Sequence, residues 1–336
     1  MRDFDAVLAS LSARIARLSA RLGARVDVAA MEITARTGLL PLDPPTRISP
    51  NRACRMVRAA DGWIAVNLAR EEDRDLVPAW LEGAWGEPAW DQVERLAPTR
   101  TVARLREDGV RLGLPVGAVG EVSAARPQAG TQAYWPGRSR SGPPTVIDLS
   151  ALWAGPMCGA ILAAAGCEVT KVESLARPDP TRTSTPEFHR RLNGAKRERT
   201  VDLADPAGRA ALREAVLAAD VVITGARPRA FAALGFEPRE ITEGGAVWVA
   251  ITGHGWAAGH RVAFGDDAAA AGGLVRWTEA GEPQFLGDAL ADPVTGLAAS
   301  VGALEALTGG GAVRVDAGLA PCAAGAAGLM GLARAA

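Results

Sequence analysis

Hydrophobic and polar positions divide this chain into two stretches with different rhythms. Leu8, Leu11, Ile15, Leu18 and Leu22 recur at helical spacing and predict an amphipathic first helix. Arg25–Val28 then leads into an expected second helix. Alternation from Ala53 to Asn67, broken at Asp61-Gly62, predicts a β-hairpin. Helices are expected around Arg74–Glu82, Trp90–Leu96 and Val102–Asp108, and Pro115–Val119 reads as a short apolar strand or loop. From Thr145 onward the rhythm becomes strand, helix, strand. Thr145–Leu149, Glu168–Glu173, Val221–Ile223 and Val247–Ile251 are the expected strands. Helices are expected over Pro156–Gly166, from Asp205-Pro206 to about Ala219, and over Pro228–Leu234. Such alternation predicts an α/β fold, an open and mainly parallel Rossmann-like sheet with helices on both faces, joined to a smaller α+β domain.

The expected division is residues 1–123 for the smaller domain, 124–144 for a linker rich in Pro, Gly, Ser and Arg, and 145–336 for the larger domain. Charge refines this picture. The balance of 37 basic and 38 acidic residues gives a net charge of −1, which argues against a nucleic-acid partner. Cys54, Cys158, Cys167 and Cys322 are too scattered for a disulfide framework or a zinc site and read as reduced thiols. The opening Met-Arg-Asp-Phe-Asp is acidic where a signal peptide is basic and then apolar. Ala317–Ala333 is too weakly apolar for a span. A cytoplasmic protein without membrane contact is expected.

Three loops could carry chemistry. The turn Asp148 to Gly159 resembles a dinucleotide-binding turn but lacks the glycine fingerprint, so binding of NAD is a minority reading. It still offers N–H groups at a helix start, suited to an anion. The basic stretch Arg177, Arg182, Arg190, Arg191, Lys196, Arg197 and Arg199 is either a solvated charged loop or a phosphate clamp. Asp292-Pro293 is either a plain N-cap with Pro at the first helical position or a carboxylate held ionised at a helix start, ready to act as a nucleophile. His189, His254 and His260 lack metal-ligand spacing, and no Gly-x-Ser-x-Gly occurs.

Taken together, these loops resemble the family III CoA-transferases, the group that includes formyl-CoA and carnitine CoA-transferases and the α-methylacyl-CoA racemases. The matching residues are Val146-Ile-Asp-Leu-Ser-Ala-Leu-Trp-Ala-Gly-Pro156, Gly166-Cys-Glu-Val-Thr-Lys-Val-Glu173 and Asn193-Gly-Ala-Lys-Arg197. Further matches are Val201-Asp-Leu-Ala-Asp-Pro-Ala-Gly-Arg209, Ala219 to Pro228, Ile251-Thr-Gly-His-Gly255 and Ala291-Asp-Pro-Val-Thr-Gly296. Arg25-Val-Asp-Val28, the Asp61-Gly62-Trp63-Ile64 hairpin and Leu114-Pro-Val-Gly117 resemble pieces that follow the catalytic part in the family, so the chain reads as circularly permuted.

What the resemblance implies is CoA transfer between an acyl-CoA and a small carboxylic acid, with coenzyme A as substrate and no permanent cofactor or metal. Asp292 stands at the family's nucleophilic aspartate. Trp153 and Ala154 stand where the first turn meets CoA, and Arg182 belongs to the basic stretch beside it. Lys196, Arg197, Val201, Asp202, Leu203, Ala204, Gly225, Ala226 and Arg227 match positions lining the nucleotide. Phe264 and Gly265 lie in another CoA-contacting loop, where the family's Gly-Tyr-Asp appears as Ala263-Phe264-Gly265, with Asp266 and Asp267 just beyond. Ser49-Pro50-Asn51 stands in place of a glycine-rich lid, and Gly272-Gly273 is the candidate source of oxyanion donors. A homodimer is expected. Racemisation is the alternative, disfavoured because Phe264 at the place of a histidine cannot move protons; a non-catalytic acyl-CoA-binding protein is another.

Overall fold

The computed structural model describes residues 2–124, 126–139, 141–225 and 227–332. Its strands, in chain order, are β1 (Cys54–Arg58), β2 (Trp63–Asn67), β3 (Val116–Ala118), β4 (Gly130–Pro136), β5 (Thr145–Leu149), β6 (Glu168–Ser174), β7 (Arg197–Val201), β8 (Val221–Thr224), β9 (Val247–Thr252), β10 (Val275–Trp277), β11 (Pro283–Phe285) and β12 (Gly311–Gly318).

Seven strands form the main sheet in the order β4-β12-β9-β8-β5-β6-β7. All neighbours run parallel except β4, which lies antiparallel on β12. Counting the parallel strands as they occur in the chain gives the doubly wound order 3-2-1-4-5-6. The chain reverses its direction of travel across the sheet between β5 and β8. A crevice opens at the carboxyl ends of strands at such a reversal, and loops from both halves face it. The expected strands and their helices are present. The stretch expected to be a linker contributes β4, whose residues lack the apolar run of a central strand because it pairs only along one edge.

The smaller sheet is antiparallel in the order β1-β2-β3, and β1–β2 is the expected hairpin. All five residues of β2 are buried, because both faces are covered. Val57, Ile64 and Val66 pack with Trp80, Leu105 and Val116 on one face. Met56 and Ala65 pack with Ala270, Val275 and Phe285 on the other, which fastens this sheet to the larger unit. The first helix (Arg2–Ser19) buries Phe4, Val7, Leu11 and Ile15 rather than the whole leucine stripe; Leu8 and Leu18 sit at its partly buried margin, and Leu22 belongs to the 3₁₀ turn Ala20–Leu22 that follows. It lies along the helix Ala291–Gly309, with Arg14 pairing to Glu305 at 2.7 Å. The expected second helix is one 3₁₀ turn, Ala29–Met31, ended by Glu32 at φ 50°. Beyond it, residues 33–53 run without a helix or strand to the crevice.

A buried charge network shapes the β5 turn. Lys196 Nζ lies 2.8 Å from each of Asp148 Oδ2, the Pro156 carbonyl and Asn193 Oδ1. Lys171 donates to the Ser150 carbonyl and sits 3.5 Å from Asp179. Burial would raise the Asp148 pKa, but the two ammonium groups and donors from Lys196 and Ser150 prevail and bring it to about 2. Gly159 makes room: a Cβ there would lie 2.7 Å from Asp148 Oδ2 and 2.8 Å from Lys196 Nζ. Removing one partner of such a pair strands the other charge. Lys196→Met is therefore expected to destabilise the fold by about 3–5 kcal/mol, measured by chemical denaturation, with Asp148→Asn in the same background recovering part of the loss. An unchanged Lys196→Met midpoint would show that the pair does not hold the turn.

Candidate active site

A cavity of about 560 Å³ occupies the crevice. Its walls come from the Ser150–Gly155 turn after β5, Gly225 and Arg227 after β8, Ile251–Gly253 after β9 and Leu319 after β12. Val262–Asp266, Ala289 and Asp292 close one side, and Arg36, Asn51, Asn67 and Arg70 come from the N-terminal part of the chain. Leu152, in the first turn, holds φ 71°, a left-handed conformation uncommon for a branched side chain. Its N–H donates to Asp179 Oδ2 at 3.1 Å, so the buried network fixes the strained turn.

Asp292 is the second residue of the helix Ala291–Gly309; Leu290, not Asp292, is the N-cap, and the Asp292 carboxylate caps no helix N–H. The carboxylate is half-buried on the cavity wall and accepts a hydrogen bond from the Ala154 N–H. A Cβ on Gly265 would come within 2.1 Å of Asp292 Oδ2, so only glycine lets the carboxylate lie over that backbone. Burial, aided by Asp266 and Asp288 and opposed by Arg36, raises the Asp292 pKa to about 7. Burial thus works against the expectation of a carboxylate kept ionised by its helix start.

Two more buried carboxylates follow Gly265 in the chain, and the first of them, Asp266, lines the cavity. Asp266 accepts from Asn51 Nδ2 at 2.7 Å and from Ala289 N at 2.7 Å, and burial with the nearby Asp288 raises it to about 6. Asp267 accepts from Phe264 N at 2.9 Å and Asn67 Nδ2 at 3.1 Å; burial lifts it to about 8. Asp288 receives the Arg36 fork, Nε and Nη2 each at 2.8 Å, and Asn51 Nδ2 at 2.9 Å. The Arg36 guanidinium lies 4.9 Å from the centre of the Trp153 ring, and Trp153 Nε1 donates to the Ile33 carbonyl at 2.8 Å. This acidic cluster is held by donors from residues far away in the chain.

The mouth is basic. Arg70, Arg177 and Arg227 line it, and burial followed by repulsion from Arg229, Arg70 and Arg177 lowers the Arg227 pKa. Arg177, Arg227 and Arg229 make no ion pair among the described residues, whereas Arg70 is tied to Asp73 at 2.5 Å. Unpaired guanidiniums at a cavity entrance suit a phosphate-bearing ligand.

The structure brings Trp153, Ala154, Gly225, Arg227, Phe264, Gly265 and Asp292 together around the cavity. Ala226 lies outside the described residues. Lys196, expected to line a nucleotide, has a fully buried side chain and braces the sheet instead. Arg182 pairs with Glu173 and Glu198, each at 3.0 Å, and Arg197 with Glu168 at 3.2 Å, so both are engaged away from the cavity. Val201 ends β7, and Asp202, Leu203 and Ala204 follow it on the sheet's outer edge. Gly272 and Gly273 are excluded as oxyanion donors, because their N–H groups already close helical bonds to Ala268 and Ala270. Sequence reasoning missed Arg36, Arg70 and Asp288 as site residues and had no role for Asn51 beyond a lid position.

A model of CoA-transferase family III matches residues 144–327. An acyl-CoA transferase of Fusarium pseudograminearum is 33% identical over 199 residues, covering 52% of this chain and 44% of that protein. The succinyl-CoA–D-citramalate CoA-transferase of Chloroflexus aurantiacus is 32% identical over 179 residues, covering 48% of this chain and 44% of that protein. A CAIB/BAIF family protein from Brucella suis superposes with a TM-score of 0.50 at 27% identity, over 57% of this chain and 56% of that one. The matched part of the chain spans less than half the length of these curated relatives.

The buried carboxylates make a sign-defined test. A carboxyl whose pKa is raised by folding binds its proton more tightly in the folded state, so stability is lost as pH rises toward the folded pKa. Asp267 is raised to about 8, and Asn keeps an acceptor for Phe264 N. Asp267→Asn is thus expected to gain stability relative to the parent between about pH 5 and pH 8; a denaturation midpoint difference that is the same at both would contradict the assignment.

Proposed function

Because the chain belongs to CoA-transferase family III, we propose that it moves coenzyme A between an acyl-CoA and a small carboxylic acid through a covalent intermediate on Asp292. One observation carries this reading: the Asp292 carboxylate forms part of the wall of a 560 Å³ cavity at the sheet's reversal point. That volume lies in the range of small-molecule sites and admits a pantetheine arm. The basic mouth is the proposed seat of the phosphates. Asp202, Leu203 and Ala204, on the same carboxyl edge of the sheet, are the proposed contacts of the nucleotide end. The acids named for Chloroflexus and other relatives, D-citramalate and glutarate, are dicarboxylic, and we take such acids as the first candidates.

In the proposed mechanism Asp292 attacks the thioester carbonyl, the C–S bond breaks, and an anhydride forms with release of CoA thiolate. The thiolate attacks the aspartyl carbonyl, giving an aspartyl-CoA thioester and freeing the donor acid. Acceptor acid then reverses the sequence. Splitting one acyl exchange into anhydride and thioester steps is the advantage of covalent catalysis. The half-buried position of Asp292 limits the access of water to the anhydride. We further propose a circularly permuted order of the family's parts, supported by the N-terminal residues Arg36 and Asn51 reaching the Asp292 loop, and a homodimeric assembly.

Asp292→Asn is expected to lower exchange between succinyl-CoA and glutarate by roughly a thousandfold or more while CoA still binds by calorimetry; exchange at the parental rate would remove Asp292 from the mechanism. The ionised form is the nucleophile and its pKa is raised to about 7, so kcat/KM is expected to rise with pH through that value. A profile flat from pH 5 to 9 would contradict it.

A further inference from the structure

Resting on the proposed CoA transfer, we propose that Arg36 is the receptor for the carboxylate of the acid that exchanges at Asp292. The guanidinium stands on the cavity wall, stacked over Trp153 at 4.9 Å. Its Nε and Nη2 are committed to Asp288 at 2.8 Å each, and its Nη1 makes no hydrogen bond among the described residues. Asp288 cannot swing away freely, because Asn51 Nδ2 bridges it at 2.9 Å to Asp266 at 2.7 Å. Asn51 is itself fixed by Ser49 Oγ and Ala53 N, both at 2.8 Å from its Oδ1. A planar fork anchored along one edge presents the other in a set direction, which suits a carboxylate.

The charges around Asp292 show why this cation is needed. Asp266 and Asp288 face it as anions, the Ala154 N–H donates to it, and Arg36 is the cation that acts on it. Other guanidiniums of the cavity are engaged elsewhere: Arg70 with Asp73 and Arg261 with Glu121, while Arg177 and Arg227 sit in the basic mouth. During the second half of the reaction Asp292 is a neutral thioester. The acceptor oxyanion attacks its carbonyl carbon, a C–O bond forms, the C–S bond breaks, and the electron pair leaves on sulfur. The thiolate then attacks the acceptor carbonyl and returns the electron pair to Asp292 as a carboxylate. No proton or oxidant is required, but an anion must come close to Asp266 and Asp288. Arg36 offsets that repulsion and aims the oxyanion. The donor acid, leaving in the first half, passes the same group.

The test varies glutarate at saturating succinyl-CoA. Arg36→Met is expected to raise the glutarate KM about ten- to a hundredfold, with the succinyl-CoA KM changed less than about twofold. Added guanidinium ion is expected to restore activity to Arg36→Gly, and Arg36→Lys to fall between the parent and Met, responses that a purely structural role would not give. Binding is read separately as saturable protection of the parent by glutarate in thermal unfolding, lost in Arg36→Met. An unchanged glutarate KM and unchanged protection in Arg36→Met would overturn the assignment even if the parent transfers CoA. Protection that depends on Arg36 in a parent that exchanges no CoA would retain the receptor and reject the transfer reading.

Discussion

A carboxylate can be kept among other carboxylates in a cavity only if something opposes their repulsion. Here that is the clasp of Arg36 on Asp288, extended by Asn51 to Asp266. It ties residues 36 and 51 to the loop that precedes Asp292, across separations of 252 and 237 positions for the two contacts to Asp288. That loop is itself strained: Ala289 holds φ 47° and gives its N–H to Asp266. The N-terminal third of the chain is therefore a structural component of the site and not a neighbour of it.

The rest of the architecture serves the same placement. The doubly wound order brings the ends of β5, β8, β9 and β12 to one crevice. A buried lysine–aspartate network under β5 holds the turn whose Ala154 N–H meets Asp292. Gly265 keeps the opposite wall low enough for the carboxylate to rest against it. Burial then sets the acidity: Asp266, Asp292 and Asp267 are raised to about 6, 7 and 8, and of the two that line the cavity Asp292 is half-buried, whereas Asp266 is buried and held by Asn51 and the Ala289 N–H.

Much of this was legible in the chain because it is local. The β–α alternation after Thr145 specified a parallel sheet, Asp205 caps its helix through Ala207 N and Gly208 N as expected, and the Asp61-Gly62 hairpin formed. Asp292 was singled out from its motif, although its N-cap role was not: the helix begins two residues earlier than the Asp-Pro pair suggests. Arg36 carried no local signal, since it lies in a stretch without periodicity and acquires meaning only when folded against Asp288. The basic run was legible only in part. Lys196 and Arg182 look like phosphate ligands in sequence, yet Asp148, Glu173 and Glu198 claim them. Sequence spacing cannot show which acids a cation will meet across a sheet.

The most direct measurement is to locate the covalent intermediate itself. The protein is incubated with succinyl-CoA alone, an aspartyl thioester is reduced with borohydride, and the chain is mapped by peptide mass spectrometry. Homoserine is expected at position 292, with no change at Asp266, Asp267 or Asp288. Reduction at another carboxylate, or an unaltered chain from a preparation that actively exchanges CoA, would contradict a covalent intermediate on Asp292.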